Sequence, residues 1–384
     1  MRVVFRACAM TPATYDMKSK HALTRRFGFA FVCALALVAC AESDDDNEGT
    51  TEGPHVLDDP DEPFVRFEPR HGTLVSEPET ALPELLSDVG IYGDLTDLRV
   101  IVATAFAYEP YAPLWSNGLE KQRFLIVPEG EAIDNSNPRF WIVPEGTLLF
   151  KTFWVPDSSQ EDGMRPIETR LMRRNEGGWD YVSYRWRDDR RDADLLDMRR
   201  PVDVSIALED GEFIVHTIPN RLECRKCHES AYSEVLGLSE IQLAWTDGEP
   251  RLRWLDDAGW LTRGIPDEPY TLTHSDPQTL EVLRYFEGNC VTCHNGSQGA
   301  SSSFDMRSEG VFENLINRET ESSATAAGIR VIPGDPENSI LYQAIIAEDD
   351  TGDVKRMPPI GVQVIDSAGT ALIYAWIASL AAAE

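Results

Sequence analysis

Two copies of one pentapeptide, Cys224-Arg225-Lys226-Cys227-His228 and Cys290-Val291-Thr292-Cys293-His294, restrict this 384-residue chain more than any other feature. Each has the form C-x-x-C-H. Two thiols three positions apart add across the two vinyl groups of one porphyrin, and the adjacent imidazole becomes the proximal ligand of its iron. The pattern therefore predicts two covalently bound haem c groups, attached through Cys224, Cys227, Cys290 and Cys293, with His228 and His294 on iron. A chain that commits four thiols in this way must build its core without disulfides from them. The same four thiols also suit a structural tetracysteine zinc site. The His directly after each pair, and the signs of export that follow, favour haem over zinc.

Arg25 and Arg26 precede an apolar run, Phe27 to Val38, that ends at Leu37-Val38-Ala39-Cys40. A basic start, a short apolar stretch and small residues at the cut make a secretory signal. The run is shorter than the roughly 20 residues that a spanning helix needs. Leu37-Val38-Ala39-Cys40 resembles the lipobox of bacterial lipoproteins, which implies cleavage before Cys40 and lipidation of its thiol. The expectation is a chain outside the cytoplasm, lipid-anchored to a membrane and facing the periplasm or the cell surface. Cysteine usage agrees. Of seven Cys, Cys8 and Cys33 leave with the signal, Cys40 takes lipid and four take haem.

The formal charge is −30. Nucleic acid is excluded as a partner, because phosphates require basic surface. A redox partner protein with a basic face fits better, drawn in by the long-range field.

Four regions follow. Residues 1–39 are the signal. Residues 40–63 form a flexible acidic stalk, with ten Asp/Glu and no Lys/Arg between 41 and 63. Residues 64–274 are β-rich and carry the first pentapeptide near their end. Candidate strands are Arg99–Ala107, Arg123–Val127, Arg139–Val143, Thr147–Val155, Glu168–Arg173, Trp179–Trp186, Val202–Leu208 and Phe213–Ile218. They are aromatic and β-branched, and are broken by Pro-Glu-Gly and Asp-Gly turns. Many short strands suggest a sandwich-like body. A short helical patch is expected at Leu82–Leu86 and a helix over Ser233–Trp245. In residues 275–384, Asp276 caps a helix over Gln278–Glu287, with further helices over Ile340–Ala347 and Ala368–Leu380. The fold class expected is α+β multidomain: an N-terminal β-rich sandwich-like domain, then a mainly α cytochrome c-like haem domain.

Iron held between His and Met gains a higher potential. After His294 the Met candidates are Met306 and Met357, and Met357 is favoured because Pro358-Pro359 stiffens its loop. For the first iron the upstream candidates are Met164, Met172, Met198 and His216, and the sequence does not choose among them.

Several segments carry a wider resemblance. They are Pro110-Tyr111-Ala112-Pro113-Leu114-Trp115-Ser116, Lys121-Gln122-Arg123-Phe124, Pro144-Glu145-Gly146-Thr147, Lys151-Thr152-Phe153, Ile167-Glu168-Thr169-Arg170-Leu171 and Pro219-Asn220-Arg221-Leu222. Together they resemble an uncharacterised family of exported bacterial dihaem c-type cytochromes. Pro333-Gly334-Asp335-Pro336 and Met357-Pro358-Pro359 are similar to the general cytochrome c domain, in which that Met is the distal ligand. The resemblance covers roughly residues 90–380. It implies haem binding and electron transfer, and says nothing about a substrate. An electron carrier is therefore expected ahead of a peroxidase-like or other haem oxidoreductase with one open iron site. The β-rich region shows no paired carboxylates, no nucleophile–base set and no phosphate loop, so no residue is assigned a catalytic role.

Overall fold

The computed structural model describes residues 64–67, 81–160, 163–207, 213–229, 233–244, 251–296, 304–320, 327–349 and 351–380. The signal, Cys40, the acidic stalk and the Asp210-Gly211 turn lie outside the described residues.

The body grows from alternation in long antiparallel strands. β1 (Val65–Phe67) pairs in parallel with β2 (Val100–Val102). β3 (Phe106–Ala107), β4 (Glu120–Ile126), β5 (Leu148–Pro156), β6 (Met164–Asn175), β7 (Gly178–Trp186) and β8 (Ala193–Leu195) form a six-stranded meander in sequence order. β9 (Val202–Ala207) and β10 (Phe213–Ile218) make a separate antiparallel ribbon.

Because side chains alternate across a strand, the meander has two faces. Phe124, Leu148, Phe150, Tyr184 and Trp186 point to one, where they pack under Leu86, Val89, Ile91 and Ile101. Leu125, Leu149 and Tyr181 point to the other, against Trp141, Val235, Leu238, Leu243 and Leu255. Further along that second face, Phe153 and Val155 meet Val204, Ile206 and Ile218 of the ribbon. Each such side chain, fully buried, contributes about 1.5–3 kcal/mol.

Several expected elements change. Arg139–Val143 is no strand. Ile142 only exchanges backbone bonds with Asp134 (2.8 and 3.0 Å), since Pro138 and Pro144 bracket the run and donate nothing to a ladder. The helix expected over Ser233–Trp245 shrinks to α2 (Glu240–Leu243), because Gly237 takes φ 81° and ends any turn before it. The patch at Leu82–Leu86 is instead a single 3₁₀ turn, Leu86–Val89. Helices the sequence reading omitted are α1 (Arg221–His228), α3 (Arg251–Asp257) and α5 (Val311–Leu315).

The expected fold class is overturned. No mainly α cytochrome c-like domain follows the β-rich region. Residues 275–384 contain α4 (Pro277–Asn289), α5, α6 (Ile340–Ile346) and α7 (Ser367–Ser379), of 13, 5, 7 and 13 residues, and most of this stretch lies outside any helix. Its prolines and glycines, among them Gly328, Pro333-Gly334 and Pro358-Pro359, fill the irregular chain between these helices. The protein is β-rich with few helices, and the strands form one meander with two small ladders.

The described residues, from 64 to 380, fall in one compact unit. Within it α4 and α7 cross through Phe286, Ile373, Trp376 and Ile377, and the helical stretch is fastened to the body. The Arg139 guanidinium, 6 % exposed, donates to Glu287 at 3.0 Å and to Glu309 at 2.7 Å. Gly288 lies so close to the Ala112 carbonyl that a Cβ there would stand 2.5 Å from its oxygen.

Candidate functional site

The first pentapeptide is most of a helix. Asn220 caps α1: its Oδ1 accepts from the Glu223 backbone N–H (3.0 Å), and the Glu223 carboxylate accepts from the Asn220 N–H (2.9 Å). This reciprocal box starts a turn that would otherwise be too short to hold. Cys224, Cys227 and His228 then stand three and four residues apart, on one side of the helix. The His228 Nδ1 donates to the Glu234 carbonyl at 2.7 Å. That bond fixes the ring and leaves Nε2 bearing the lone pair, the arrangement in which a histidine binds a metal. The imidazole lies 5.7 Å from the Tyr181 ring. Burial lowers the His228 pKa to about 4, despite the bond to Glu234, and pushes the Cys224 thiol up to about 11 against the pull of Arg170.

These three side chains wall a cleft with a cavity volume of about 190 Å³, open to solvent on one side and lined by aromatic, apolar and cationic residues. Its floor is the second face of the meander, with Leu149, Lys151, Phe153, Arg170 and Met172. Its sides come from Trp115, Pro219, Gly288, Pro358 and Val362. An oriented imidazole beside two half-buried free thiols, facing a partly aromatic cleft, is the donor set that a porphyrin attached at Cys224 and Cys227 would need.

The second pentapeptide follows α4. Cys290 is its last cap, and the His294 N–H donates back to the Cys290 carbonyl at 2.9 Å. The surroundings are packed. Cys290 lies against the cluster of Phe286, Val291, Met306 and Trp376. The His294 ring is 4.4 Å from Phe304, over which the Arg330 guanidinium stacks at 4.2 Å. The His294 Nδ1 is buried and has no hydrogen-bond partner. Burial, then Arg330, lowers its pKa to about 4. Thr292 reaches the large cleft, whereas Cys290, Cys293 and His294 do not line it. Burial raises the Cys293 thiol to about 11, and nearby Cys227 adds to this, so the two pentapeptides are neighbours in space.

Met357 is 38 % exposed and borders a smaller cavity with Trp115, Tyr285 and Asn289. Met306 is 2 % exposed in the core. Of the candidates for the first iron, Met172 and His216 line the cleft; Met164 and Met198 do not. His216 is 2 % exposed, its Nε2 held by Glu168 at 2.9 Å and its Nδ1 without a partner. Among the described residues no three His, Cys, Asp or Glu side chains gather at metal-holding spacing, so the two Cys pairs form no tetracysteine cluster.

The segments that carried the resemblance converge here. Pro110–Ser116, Lys121–Phe124, Lys151–Phe153, Ile167–Leu171 and Pro219–Leu222 each supply at least one residue to the cleft; Pro144–Thr147 supplies none. Sequence reading found the segments and missed their meeting point. The one signal that could have shown it was Lys151, a charge at a strand position flanked two residues away by Leu149 and Phe153.

No family model, curated protein or solved structure matches the chain. No helix among the described residues is long and apolar enough to cross a membrane.

Proposed function

We propose that this chain is an extracytoplasmic electron-transfer protein carrying two covalently bound haem c groups, a dihaem c-type cytochrome anchored to a membrane through lipid on Cys40. The observation that carries the reading is the first pentapeptide set on a capped helix, its imidazole fixed by the Glu234 carbonyl and bordering a partly aromatic cleft. Cys224 and Cys227 would hold one porphyrin and His228 its iron; Cys290, Cys293 and His294 would hold the second, with Met357 as its distal ligand. Bound haem supplies a one-electron couple. The protein's share is orientation and shielding. Asn220 and Glu223 fix the start of the helix, Glu234 fixes the imidazole, and Tyr181, Phe153 and Trp115 keep apolar surface around the cleft. Partners under this reading are redox proteins with a basic face, suited to a chain of charge −30.

Expression in a host with the c-type maturation machinery tests it. Intact mass should show two added tetrapyrroles, and the pyridine haemochrome spectrum should be of the c type. Absence of both added masses overturns the reading. A high-spin band in the matured protein would move it from an electron carrier to a haem oxidoreductase with an open iron site.

A further inference from the structure

The strand register places Arg123 opposite Lys151, Lys151 opposite Arg170, and Arg170 opposite Ser183, in one row on the cleft side of the meander. Like charges directly opposite one another destabilise a sheet, and three in succession do so twice. On one side of the row lie Leu125 and Leu149, and on the other Phe153, members of two separate apolar clusters. Arg123, Lys151 and Arg170 all wall the cleft beside Cys224 and Cys227.

Nearby acids offset the row only in part: the Glu109 charge acts on Arg123 and that of Glu168 on Lys151, with no ion pair to either cation among the described residues. Glu168 is engaged four ways, with Arg170 (2.6 and 3.0 Å), Ser183 (2.9 Å) and His216 (2.9 Å). On the cleft wall Glu223 accepts from the Asn220 N–H, and Glu287 pairs with Arg139. Arg123 is 6 % exposed, and neither it nor Lys151 has a carboxylate partner among the described residues. The Lys151 ammonium instead sits 4.8 Å over the Phe153 ring. Burial above all, then Arg123 and Arg170, holds the Lys151 pKa well below its ordinary value. Buried charge is retained at such cost where something opposite in sign meets it.

We infer that Arg123, Lys151 and Arg170 form a carboxylate-binding row whose ligand is a carboxylate-bearing molecule seated in the cleft beside Cys224 and Cys227. The Arg123 fork can grip a carboxylate by two parallel bonds, Lys151 adds a point charge beside it, and Arg170, its Nε and Nη2 already on Glu168, adds its remaining charge. Two sources offer this chemistry. One is the propionate pair of a porphyrin on the first pentapeptide, which rests on the function proposed above. The other is a free dicarboxylate.

Arg123→Gln and Lys151→Gln test the row, with exposed Arg199→Gln as control. Neutralising one member relieves repulsion, so both variants should fold. Intact mass first counts the tetrapyrroles on the matured chain. If propionates are the ligand, each row variant shifts the propionate bending bands in resonance Raman and lowers the midpoint potential, because a cation near the iron has been removed; the control does neither. If a free dicarboxylate is the ligand, succinate binds the matured wild-type chain in calorimetry and binds each row variant about tenfold more weakly or worse. Unchanged bands and potential in both variants, with no succinate binding to the chain with or without haem, overturn the row. A chain that carries no tetrapyrrole sinks the proposed function instead, and the succinate titration alone then decides the row.

Discussion

The two pentapeptides share three residues in the same order and occupy opposite kinds of surroundings. The first is built into a short helix with no buried residue, has its imidazole aimed by a backbone carbonyl and opens on a largely apolar cleft crossed by a row of cations. The second trails a 13-residue helix into a packed cluster, where Phe304 lies beside an imidazole whose Nδ1 has no partner. The difference lies in the flanks. Asn220 and Glu223 cap a helix with no buried residue, whereas α4 brings Val282, Leu283 and Phe286 to a core before Cys290 arrives. A motif fixes which atoms can react, and its neighbours decide what faces them.

The strongest way to break this comparison is to remove the thiols pairwise. Cys224→Ser with Cys227→Ser, and separately Cys290→Ser with Cys293→Ser, should each delete one tetrapyrrole of two by intact mass. Loss of both from either variant would show that the sites are not independent. Next comes the fastening of the second site. Arg139→Met leaves Glu287 buried without its cation and should cost about 3–5 kcal/mol in urea unfolding.

Beneath the first site the sensitive group is Glu168. Its burial works to raise its pKa, but Arg170 and His216 outweigh it and bring the carboxyl to about 2. A depressed carboxyl stabilises the fold fully above its unfolded value of about 4.3 and loses that contribution as pH falls toward 2, about 3 kcal/mol in all. Urea midpoints measured across that window should fall in the wild type by more than in Glu168→Gln. The smallest effect is at the junction. Gly288→Ala forces α4 away from the Ala112 carbonyl and should cost about 1–3 kcal/mol, read as a lower thermal midpoint.

Local chemistry was legible in the sequence. The Asp276 cap, with Pro277 after it, foretold α4 within two residues at each end, and the paired Pro-Glu-Gly turns foretold β5. Interleaved Pro138 and Pro144 hid the failure of a strand at Arg139–Val143, because aromatic and β-branched content alone cannot count missing donors. The helical appearance of residues 275–384 came from three short periodic runs, and periodicity says nothing about the irregular chain between them. Of the candidate site, the Cys and His positions were visible. The row of Arg123, Lys151 and Arg170 was not, since it exists only once three strands are in register, and register is a long-range property.

One fastening has a consequence for the order of events. Asn117, at φ 55°, accepts the backbone N–H groups of Gln363 and Val364 at 2.7 and 3.0 Å, and the Trp115 indole donates to the Val364 carbonyl at 2.8 Å. This clasp holds residues 358–362 as the last side of the cleft. During synthesis α1 emerges long before that side exists. Until residues 363 and 364 dock on Asn117, Cys224 and Cys227 are unwalled on that side, and any group joined to them earlier would be enclosed when the clasp closes.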